Sequence, residues 1–563
     1  MRLIKFTIEH FRSMEEVEII FPENIPVILF GPNNVGKSNI LKSLEYMLGE
    51  KSAAYVEFQD SDYYLRDSKN YPNISYRAYF DSNFYSGNYK NPPSDTVCFS
   101  TNIEIGGKSE NTFHYPTDIN NGGKIYLSNL DKEKCQFVFI DATRDIGRQL
   151  SYFSQYSILS KMSHKMHDAI KQSVKVSLTE NFEKIKSIFE TVPEYKIFHD
   201  RLQKAFESNI DGFEHKLEID LSAYDPNNYF NSLRIIAKEG KNNRSFDEFG
   251  TGEQQILLMS FIKAYAETFK GENFILGIEE PEAHLHPLAQ KWLARNINNI
   301  SKNGIQVILT THSPEFLDIE NLEGFVKVYK VNGITRIKQH TGKTLVESCI
   351  QYGADQIKTK EANILSYYKS RTFYDQLRGF FARKILLVEG ETEFFALPNY
   401  FKNLEYDLIR NGVELVNCRG KAQLARNYRL FKSYGYECFC LFDADIDNGK
   451  KPNTDLAKTF SFEEKNINFN EDIFTCDEVK QFGYFGKDFE SYLRKVIAGY
   501  SESEKLLKDT NKVTKAKLLS EQNKDYKPLF IEKITKSFSL QKDIKKINKE
   551  NDEGNTDMED SSF

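Results

Sequence analysis

Apolar residues occur along the chain in short runs, and several of these runs stop abruptly at glycine or acidic residues. The N-terminal segments "RLIKFTI", "EVEII" and "IPVILF" alternate apolar and polar positions, which predicts three β-strands. Two later runs, within "RKILLVEG" and "YECFCLFDADIDNGK", are continuous, as is typical of strands buried on both faces of a parallel sheet. The pattern predicts an α/β fold whose chemistry lies where the apolar runs end.

The third strand leads into a glycine-rich loop. Residues 31–39 read "GPNNVGKSN", which matches G-x-x-x-x-G-K-[ST], and the helix pattern "ILKSLEYML" follows directly. Gly31 and Gly36 would let backbone N–H groups point at phosphate oxygens. Lys37 is expected to reach the β- and γ-phosphates, and Ser38 to hold Mg²⁺. The predicted ATP cradle consists of Gly31, Asn33, Asn34, Gly36, Lys37, Ser38 and Asn39.

Two further strands end in residues suited to nucleotide chemistry. The strand "FILGI" ends in Glu279 and Glu280. Glu279 is expected to contact the Mg²⁺ shell, although aspartate is commoner there, and Glu280 to orient or deprotonate the attacking water. "IQVILTTHSP" delivers His312 just past its carboxyl end, where a histidine can bond to a γ-phosphate.

The stretch "FDEFGTGEQQILLMSFIKAY", residues 246–265, resembles the signature of ABC ATPases. Thr251 stands for the signature serine, Gly252 for its first glycine and Gln254 for its glutamine, whereas Glu253 replaces the second glycine. With "HFRS" near the N-terminus and "EPEAHLHP", the order of motifs resembles the heads of RecF-like and OLD (overcoming lysogenisation defect) ATPases. That resemblance implies nucleotide held between two heads, and therefore a homodimer or a higher homo-oligomer.

Carboxylates cluster in the second half of the chain. Glu389 follows the strand in "RKILLVEG", and Glu393 lies four residues later at the start of a predicted helix. Asp443 and Asp445 end the next buried strand but one, and "GKDFESYL" adds Glu490. Single acids at strand ends are usually solvated, but carboxylates gathered at adjacent strands repel each other unless cations neutralise them. Oxygen ligands select Mg²⁺ or Mn²⁺, and two such ions can cleave a phosphodiester.

This acid pattern resembles the TOPRIM domain, and an ABC-type head followed by TOPRIM resembles the OLD nucleases. The resemblance implies a DNA endonuclease or nickase acting in prokaryotic anti-phage defence. It also implies a partner such as a helicase or a retron reverse transcriptase. OLD nucleases use a lysine beyond the last acid to steady the phosphate. Lys527 is the candidate, with Lys533 and Lys536 competing.

Composition changes this picture little. The net charge of −6 does not mark a nucleic-acid binder, but residues 501–546 hold 12 lysines and no arginine against seven acids. Those lysines form either a solvated helical face or a DNA-facing patch. Seven cysteines without a C-x-x-C pair, and no membrane-length apolar run, favour a cytoplasmic protein.

The predicted fold is α/β: an ABC-type P-loop ATPase head with a helical dimerisation insertion, followed by a parallel-sheet TOPRIM domain. Two alternatives remain open, a nucleotide-gated DNA-binding sensor or scaffold, and a RecF-like repair ATPase with a non-cleaving TOPRIM. The predicted segments are the head at 1–149 and 236–345, the insertion at 150–235, a helical linker at 346–379, TOPRIM at 380–500, the lysine-rich segment at 501–546 and an acidic disordered tail at 547–563.

Overall fold

The computed structural model describes most of the chain. The described residues are 2–49, 53, 56–81, 96–105, 109–114, 125–126, 135–141, a scattered set between 176 and 201, 236–239, 242–245, 250–268, 275–445, 454–462 and 473–539. The predicted insertion at 150–235 lies largely outside these residues, and the tail at 547–563 wholly outside them. The domain boundaries drawn from the sequence therefore remain a prediction.

Strands are distributed along the whole described chain. In chain order they are β1 (Arg2–Phe11), β2 (Met14–Ile20), β3 (Val27–Phe30), β4 (Asn73–Asp81), β5 (Thr96–Glu104), β6 (Ser109–His114), β7 (Ile125–Tyr126), β8 (Phe137–Ile140), β9 (Ile236–Glu239), β10 (Asn242–Ser245), β11 (Ile275–Glu279), β12 (Gln306–Thr311), β13 (Phe325–Val331), β14 (Ile334–Gln339), β15 (Lys384–Val388), β16 (Val413–Asn417), β17 (Glu437–Asp443), β18 (Phe474–Asp477) and β19 (Phe482–Phe485).

Helices connect many of these strands. They are α1 (Lys37–Leu48), α2 (Thr251–Thr268), α3 (Pro287–Lys302), α4 (Gly342–Gln351), α5 (Glu361–Lys369), α6 (Glu391–Asn403), α7 (Lys421–Ser433), α8 (Thr454–Phe460), α9 (Phe489–Val496), α10 (Tyr500–Leu506), α11 (Lys512–Gln522) and α12 (529–539). Short 3₁₀ turns occur at Asp60–Asp62, Tyr64–Arg66, Pro314–Phe316, Ile319–Gly324 and Tyr374–Phe381. No helix in the described part of the chain is long and apolar enough to cross a membrane.

The chain divides into two compact units, and the first is formed by residues 1–4 and 38–309. Strands β4, β5, β6 and β7 pair in that order as an antiparallel ladder. Strands β12, β11 and β8 are neighbours, and β11 runs parallel to β8. Gly277 in β11 leaves room for the Phe137 ring, because an added Cβ would lie 2.1 Å from that ring.

The second unit is formed by residues 5–37 and 310–563. In it, β1 pairs with β2 antiparallel, and β13 pairs with β14 antiparallel and with β3 parallel. Strand β2 alternates buried and exposed residues, as expected of a strand with one face in solvent. The second unit therefore contains the strand that leads into the glycine-rich loop.

A five-stranded sheet in the second unit has the order β16-β15-β17-β19-β18. Strands β16, β15, β17 and β19 are parallel, and β18 is an antiparallel edge strand. In β15 and β17 every residue but the first is buried, which explains the continuous apolar runs of the sequence. The predicted order of alternating parallel strands and helices is confirmed.

The core beside this sheet includes the end of the described chain. Leu386 and Leu441 from the sheet share one buried cluster with Leu397 of α6, Leu519 of α11 and Phe530 of α12. The apolar face of the lysine-rich segment therefore packs on the sheet domain.

Candidate active site

The glycine-rich loop has the backbone that the motif requires. Gly31 has φ +144° and Gly36 has φ +110°, conformations that other residues rarely adopt. A Cβ on Gly31 would lie 2.1 Å from the Val328 carbonyl oxygen, so this position leaves no room for a side chain. Lys37 is buried, and its Nζ donates to the carbonyl oxygens of Gly31 (2.9 Å) and Pro32 (2.8 Å). The loop thus holds its own lysine at the place where phosphates are expected.

Thr335, which the sequence did not single out, and Ser13 of the "HFRS" stretch support this loop. Thr335 of β14 is fully buried, and its Oγ1 donates to the Val35 carbonyl oxygen at 2.7 Å. The Ser13 hydroxyl lies 2.8 Å from Thr335 Oγ1, and the Ser13 carbonyl accepts from the Thr335 N–H at 2.7 Å. Ser13 belongs to the "HFRS" stretch, but no local pattern marks Thr335, which lies 300 residues after Val35.

The other predicted nucleotide residues lie at the ends of their elements. Asn33 and Asn34 are exposed in the loop, and Ser38 and Asn39 lie in the first turn of α1. Glu279 ends β11, Glu280 follows with φ +44°, and His312 follows β12. Their roles remain predictions.

In the signature-like stretch, the residue that departs from the family pattern makes a local hydrogen bond. Thr251 and Gly252 open α2. Glu253, which replaces the second signature glycine, accepts a hydrogen bond from the Gly250 N–H at 3.1 Å. The glutamate therefore caps the helix that begins beside it.

In the five-stranded sheet, the predicted acids lie at the carboxyl ends of neighbouring strands. Glu389 follows β15 and Asp443 ends β17, and these two strands are adjacent. Glu389 Oε2 accepts from the Asp443 N–H at 3.3 Å. Burial raises the pKa of Glu389, while Lys421 acts in the opposite direction. The two acids share one end of the sheet, as the sequence predicts.

Glu393 lies in the first turn of α6 and points back toward this end. Its Oε2 accepts from the Gly390 N–H at 3.1 Å, and the residue is only 6% exposed. Burial raises its pKa to about 7, and the nearby charges of Glu389 and Glu490 add to the rise. Glu391, between the two predicted acids, is exposed, as expected.

Glu490 joins the cluster from α9. Asp443 Oδ1 accepts from the Phe489 N–H at 3.0 Å, so the backbone preceding Glu490 is bound directly to Asp443. Asp443 and Glu490 are 9% and 6% exposed. Burial raises the pKa of Asp443 well above its usual range, and the charges of Glu393, Glu389, Glu490 and Asp445 raise it further.

Asp445 does not follow the alternation of the strand. It lies beyond the end of β17 with φ +51°, and its N–H donates to the Lys487 carbonyl at 3.1 Å. Its carboxylate pairs with Lys421 Nζ at 2.7 Å, and the Lys421 side chain is only 5% exposed. Lys421 begins α7 and is the first of two lysines at this site that the sequence reasoning missed.

The second missed lysine is Lys512, the first residue of α11. Its Nζ lies 2.9 Å from Glu490 Oε1. Burial lowers the pKa of Lys512, but Glu490 and the other acids more than offset this, so the net shift is upward. Lys527 is exposed, and no described contact joins it to the acids. A lysine contact across 22 residues gives no sequence pattern, because it depends on how α11 packs.

Carboxylate oxygens are suitable ligands for divalent cations, but two of these acids are paired with lysines in this structure. Among the described residues, no three acidic, histidine or cysteine side chains stand together in a group that could hold one ion. Lys421 and Lys512 instead engage Asp445 and Glu490. Five carboxylates against two lysines leave an excess of negative charge, which hard cations would neutralise. The acids are Glu389, Glu393, Asp443, Asp445 and Glu490.

Two protein families match the chain. The AAA ATPase domain matches residues 1–75 and 57–317, which is more than half of the chain. The TOPRIM domain described as overcoming lysogenization defect protein-like matches residues 380–445. The predicted combination of ATPase and TOPRIM domains is confirmed.

Three known relatives, each named as a nuclease or an endonuclease, are similar to this chain. The OLD nuclease of Thermus scotoductus is 24% identical over 465 residues, covering 79% of this chain and 82% of the relative. The Endonuclease GajA of Bacillus cereus (strain VD045) is 22% identical, covering 75% of this chain and 71% of the relative. The Old nuclease of Escherichia phage P2 is 26% identical, covering 36% of this chain and 34% of the relative.

Among solved structures, the Smc head domain of Pyrococcus furiosus covers 62% of this chain and 99% of its own, at 17% identity and a TM-score of 0.40. The family matches and the named relatives agree with the α/β fold and the nuclease class expected from the sequence. The chain belongs to the AAA ATPase domain family, and its residues 380–445 match the OLD-like TOPRIM domain.

Proposed function

We propose that this protein is an ATP-binding, metal-dependent DNA endonuclease or nickase. The observation that carries the proposal is the buried carboxylate cluster at the carboxyl ends of β15 and β17. The Asp443 side chain accepts a hydrogen bond from the backbone N–H that precedes Glu490, and the Asp443 N–H donates to Glu389. These three acids therefore lie close together at one end of the sheet. A cluster whose members raise each other's pKa values has little value for stability, which favours a functional role.

Each acid has a proposed task. Glu389, Glu393, Asp443, Asp445 and Glu490 would hold Mg²⁺ or Mn²⁺. Such ions, when bound, activate a water molecule and stabilise the leaving oxygen of a phosphodiester. Glu389 would also take the proton of the attacking water. Lys512 would steady the negative charge on the phosphate, a role supported by its contact with Glu490.

Nucleotide would bind at the glycine-rich loop. Lys37 is already held at the loop by the Gly31 and Pro32 carbonyls and would turn to the phosphates of ATP. Ser38 and Glu279 would hold Mg²⁺, Glu280 would orient water, and His312 would contact the γ-phosphate. Thr251 and Gly252 would meet nucleotide in a homodimer. Because Glu253 alters the signature, we propose slow hydrolysis and control of the nuclease by nucleotide binding.

Aromatic contacts support such control, since they begin directly beside the loop. Phe30, the last residue of β3, precedes Gly31 in the chain. Its ring centroid lies 5.5 Å from that of Phe380 and 6.4 Å from that of Tyr434. Tyr434 directly follows Ser433, the last residue of α7. A shift of the loop would therefore reach the end of this helix through packed rings.

Helix α7 is held at both ends. At its carboxyl end, Lys327 Nζ donates to the Tyr434 carbonyl at 3.0 Å, and His340 Nε2 lies 2.9 Å from the Ser433 carbonyl. At its amino end, Lys421 pairs with Asp445. Its 13 residues span roughly 20 Å at 1.5 Å each. We propose that α7 transmits the nucleotide state to the acids.

The biological setting rests on the family resemblance. We propose a role in anti-phage defence with DNA as substrate and, as partner, a helicase or a retron reverse transcriptase. A sensor or scaffold that only binds DNA would keep its biological activity in Asp443→Asn and lose it in Lys37→Ala. The biological activity of a repair ATPase would not depend on the acids of the cluster.

Glu389→Gln is expected to reduce cleavage of supercoiled plasmid in Mg²⁺ or Mn²⁺ by at least about 100-fold, because it removes a ligand and a proton acceptor. The matched control is Glu391→Gln, an exposed glutamate two residues further along the chain, which should cleave like the wild type. Equal cleavage by the wild type and Glu389→Gln would refute the nuclease assignment.

The same assay identifies the phosphate-contacting lysine. Lys512→Ala is expected to lower the cleavage rate by about 10- to 100-fold, because a cation is lost beside the developing charge. Lys527→Ala, which changes an exposed residue of the same segment, should have little effect. If Lys527→Ala lowered the cleavage rate more than Lys512→Ala, Lys527 would be the lysine that contacts the phosphate.

Asp443→Asn is expected to raise the melting temperature at pH 8 in EDTA by a few degrees while abolishing cleavage. The raised pKa of Asp443 means that folding favours its protonated form, so ionisation at high pH costs stability. Asparagine keeps an oxygen for the Phe489 N–H and cannot ionise.

The stability of the metal-free protein is expected to fall as pH rises. Because the pKa of Glu393 rises from 4.5 to about 7, the metal-free wild type should lose stability as pH rises through that window. Added Mg²⁺ should stabilise the wild type at pH 8 and stabilise Asp443→Asn less. The absence of any Mg²⁺ effect on wild-type melting, measured by scanning fluorimetry, would contradict metal binding at these acids.

Tyr434→Leu is expected to weaken the effect of ATP on cleavage severalfold while leaving nucleotide binding and nucleotide-free cleavage near wild type. The substitution removes the ring contact between Phe30 and the residue that follows α7. Lys37→Ala should abolish the ATP effect, and Tyr406→Leu, at a partly buried ring packed on Phe401, is the control. Opposite effects of ATP and a non-hydrolysable analogue would exclude control by binding alone.

A further inference from the structure

The loop after β16 lies directly beside the acid cluster. The Gly420 N–H donates to the Glu389 carbonyl oxygen at 2.7 Å, and the Cys418 N–H donates to the Val388 carbonyl oxygen at 2.9 Å. Between them, Arg419 has φ +57°, a left-handed conformation that residues other than glycine rarely adopt. Its N–H is fixed by Asn417 Oδ1 at 2.8 Å. The fold thus holds Arg419 in a disfavoured conformation next to Glu389.

The Arg419 side chain points into solvent and is supported on one face. Its guanidinium carbon lies 4.1 Å from the centre of the Phe373 ring, within cation–π range. Its NH2 group donates to Asp375 Oδ2 at 3.0 Å, and the two side chains are 47% and 49% exposed. An exposed ion pair of this kind contributes little to stability. Arg419 can therefore exchange Asp375 for another anion at little cost.

One buried residue fixes this arrangement to the sheet. Gln376 is 1% exposed, and its Oε1 accepts from the Phe373 N–H at 3.2 Å. Its Nε2 donates to the Asn417 carbonyl oxygen at 3.0 Å. Phe373 and Asp375 are consequently held against the same loop that carries Arg419.

We propose that Arg419 binds a DNA backbone phosphate flanking the scissile phosphate, with Asp375 as its partner when DNA is absent and Phe373 as its support. A planar guanidinium binds phosphate oxygens in pairs, and stacking on Phe373 reduces the freedom lost on binding. Lys421 and Lys512 are paired with acids of the cluster, whereas Arg419 is paired with an exposed carboxylate outside it. The inference rests on the proposed function, since it assumes that DNA reaches this end of the sheet.

The test is equilibrium binding of the full-length protein to a short fluorescent DNA duplex, measured by anisotropy in EDTA over a series of salt concentrations. Arg419→Ala should weaken binding by about tenfold and reduce the slope of log K against log salt by about 1. Asp375→Asn should strengthen binding by about threefold, because it removes the competing carboxylate. Arg419→Lys should fall between Arg419→Ala and the wild type.

Arg410→Ala is the matched control. Arg410 is exposed and precedes β16, so it lies at the opposite end of the strand from Arg419. Its loss should leave DNA binding unchanged. Equal binding by the wild type and Arg419→Ala, or no binding by the wild type, overturns the proposal. The binding assay contains no metal, so its result does not depend on cleavage. If the wild type bound DNA but did not cleave it in Mg²⁺, only the nuclease assignment would be contradicted.

Discussion

Mutual repulsion among buried carboxylates is the constraint on which the second half of the structure depends. Asp443 and Glu490 are nearly buried, and their charges oppose those of Glu389 and Glu393. Backbone N–H groups compensate part of this repulsion: those of Gly390 and Phe489 each donate to a carboxylate. Lys421 and Lys512 compensate another part. The sheet, the first turns of α6 and α7 and the packing of α11 are all needed to hold these partners in place.

This constraint bears on the proposal that α7 transmits the nucleotide state to the acids. Its amino end supplies a cation to Asp445, and its carboxyl end is bound to Lys327 of β13 and to His340, which follows β14. Buried helices resist bending, so displacement at one end is passed to the other. Because the energy of the acid cluster depends on the position of Lys421, a small movement of α7 changes how strongly the acids repel each other.

The sequence predicted the features that depend on neighbouring residues and missed those that depend on packing. Glu389 and Asp443 could be placed because each follows an apolar run, and parallel strands bring their carboxyl ends together. Lys421, Lys512 and Thr335 could not, because their partners lie far away in the chain and no spacing rule connects them. The position of Asp445 is also a feature that the sequence did not predict correctly. Alternation applies within β17 but stops where the backbone turns to φ +51°.

Charge balance also links metal and DNA at this site. The two lysines do not neutralise five carboxylates, so the end of the sheet repels a polyanion until further positive charge arrives. Divalent cations would supply that charge at the acids, and Arg419 would supply it at the rim, where its partner Asp375 is easily given up. Metal and DNA are therefore expected to favour each other's binding, since each reduces the electrostatic cost that the other meets. Such coupling would keep the nuclease inactive toward DNA when either metal or the α7 arrangement is lacking.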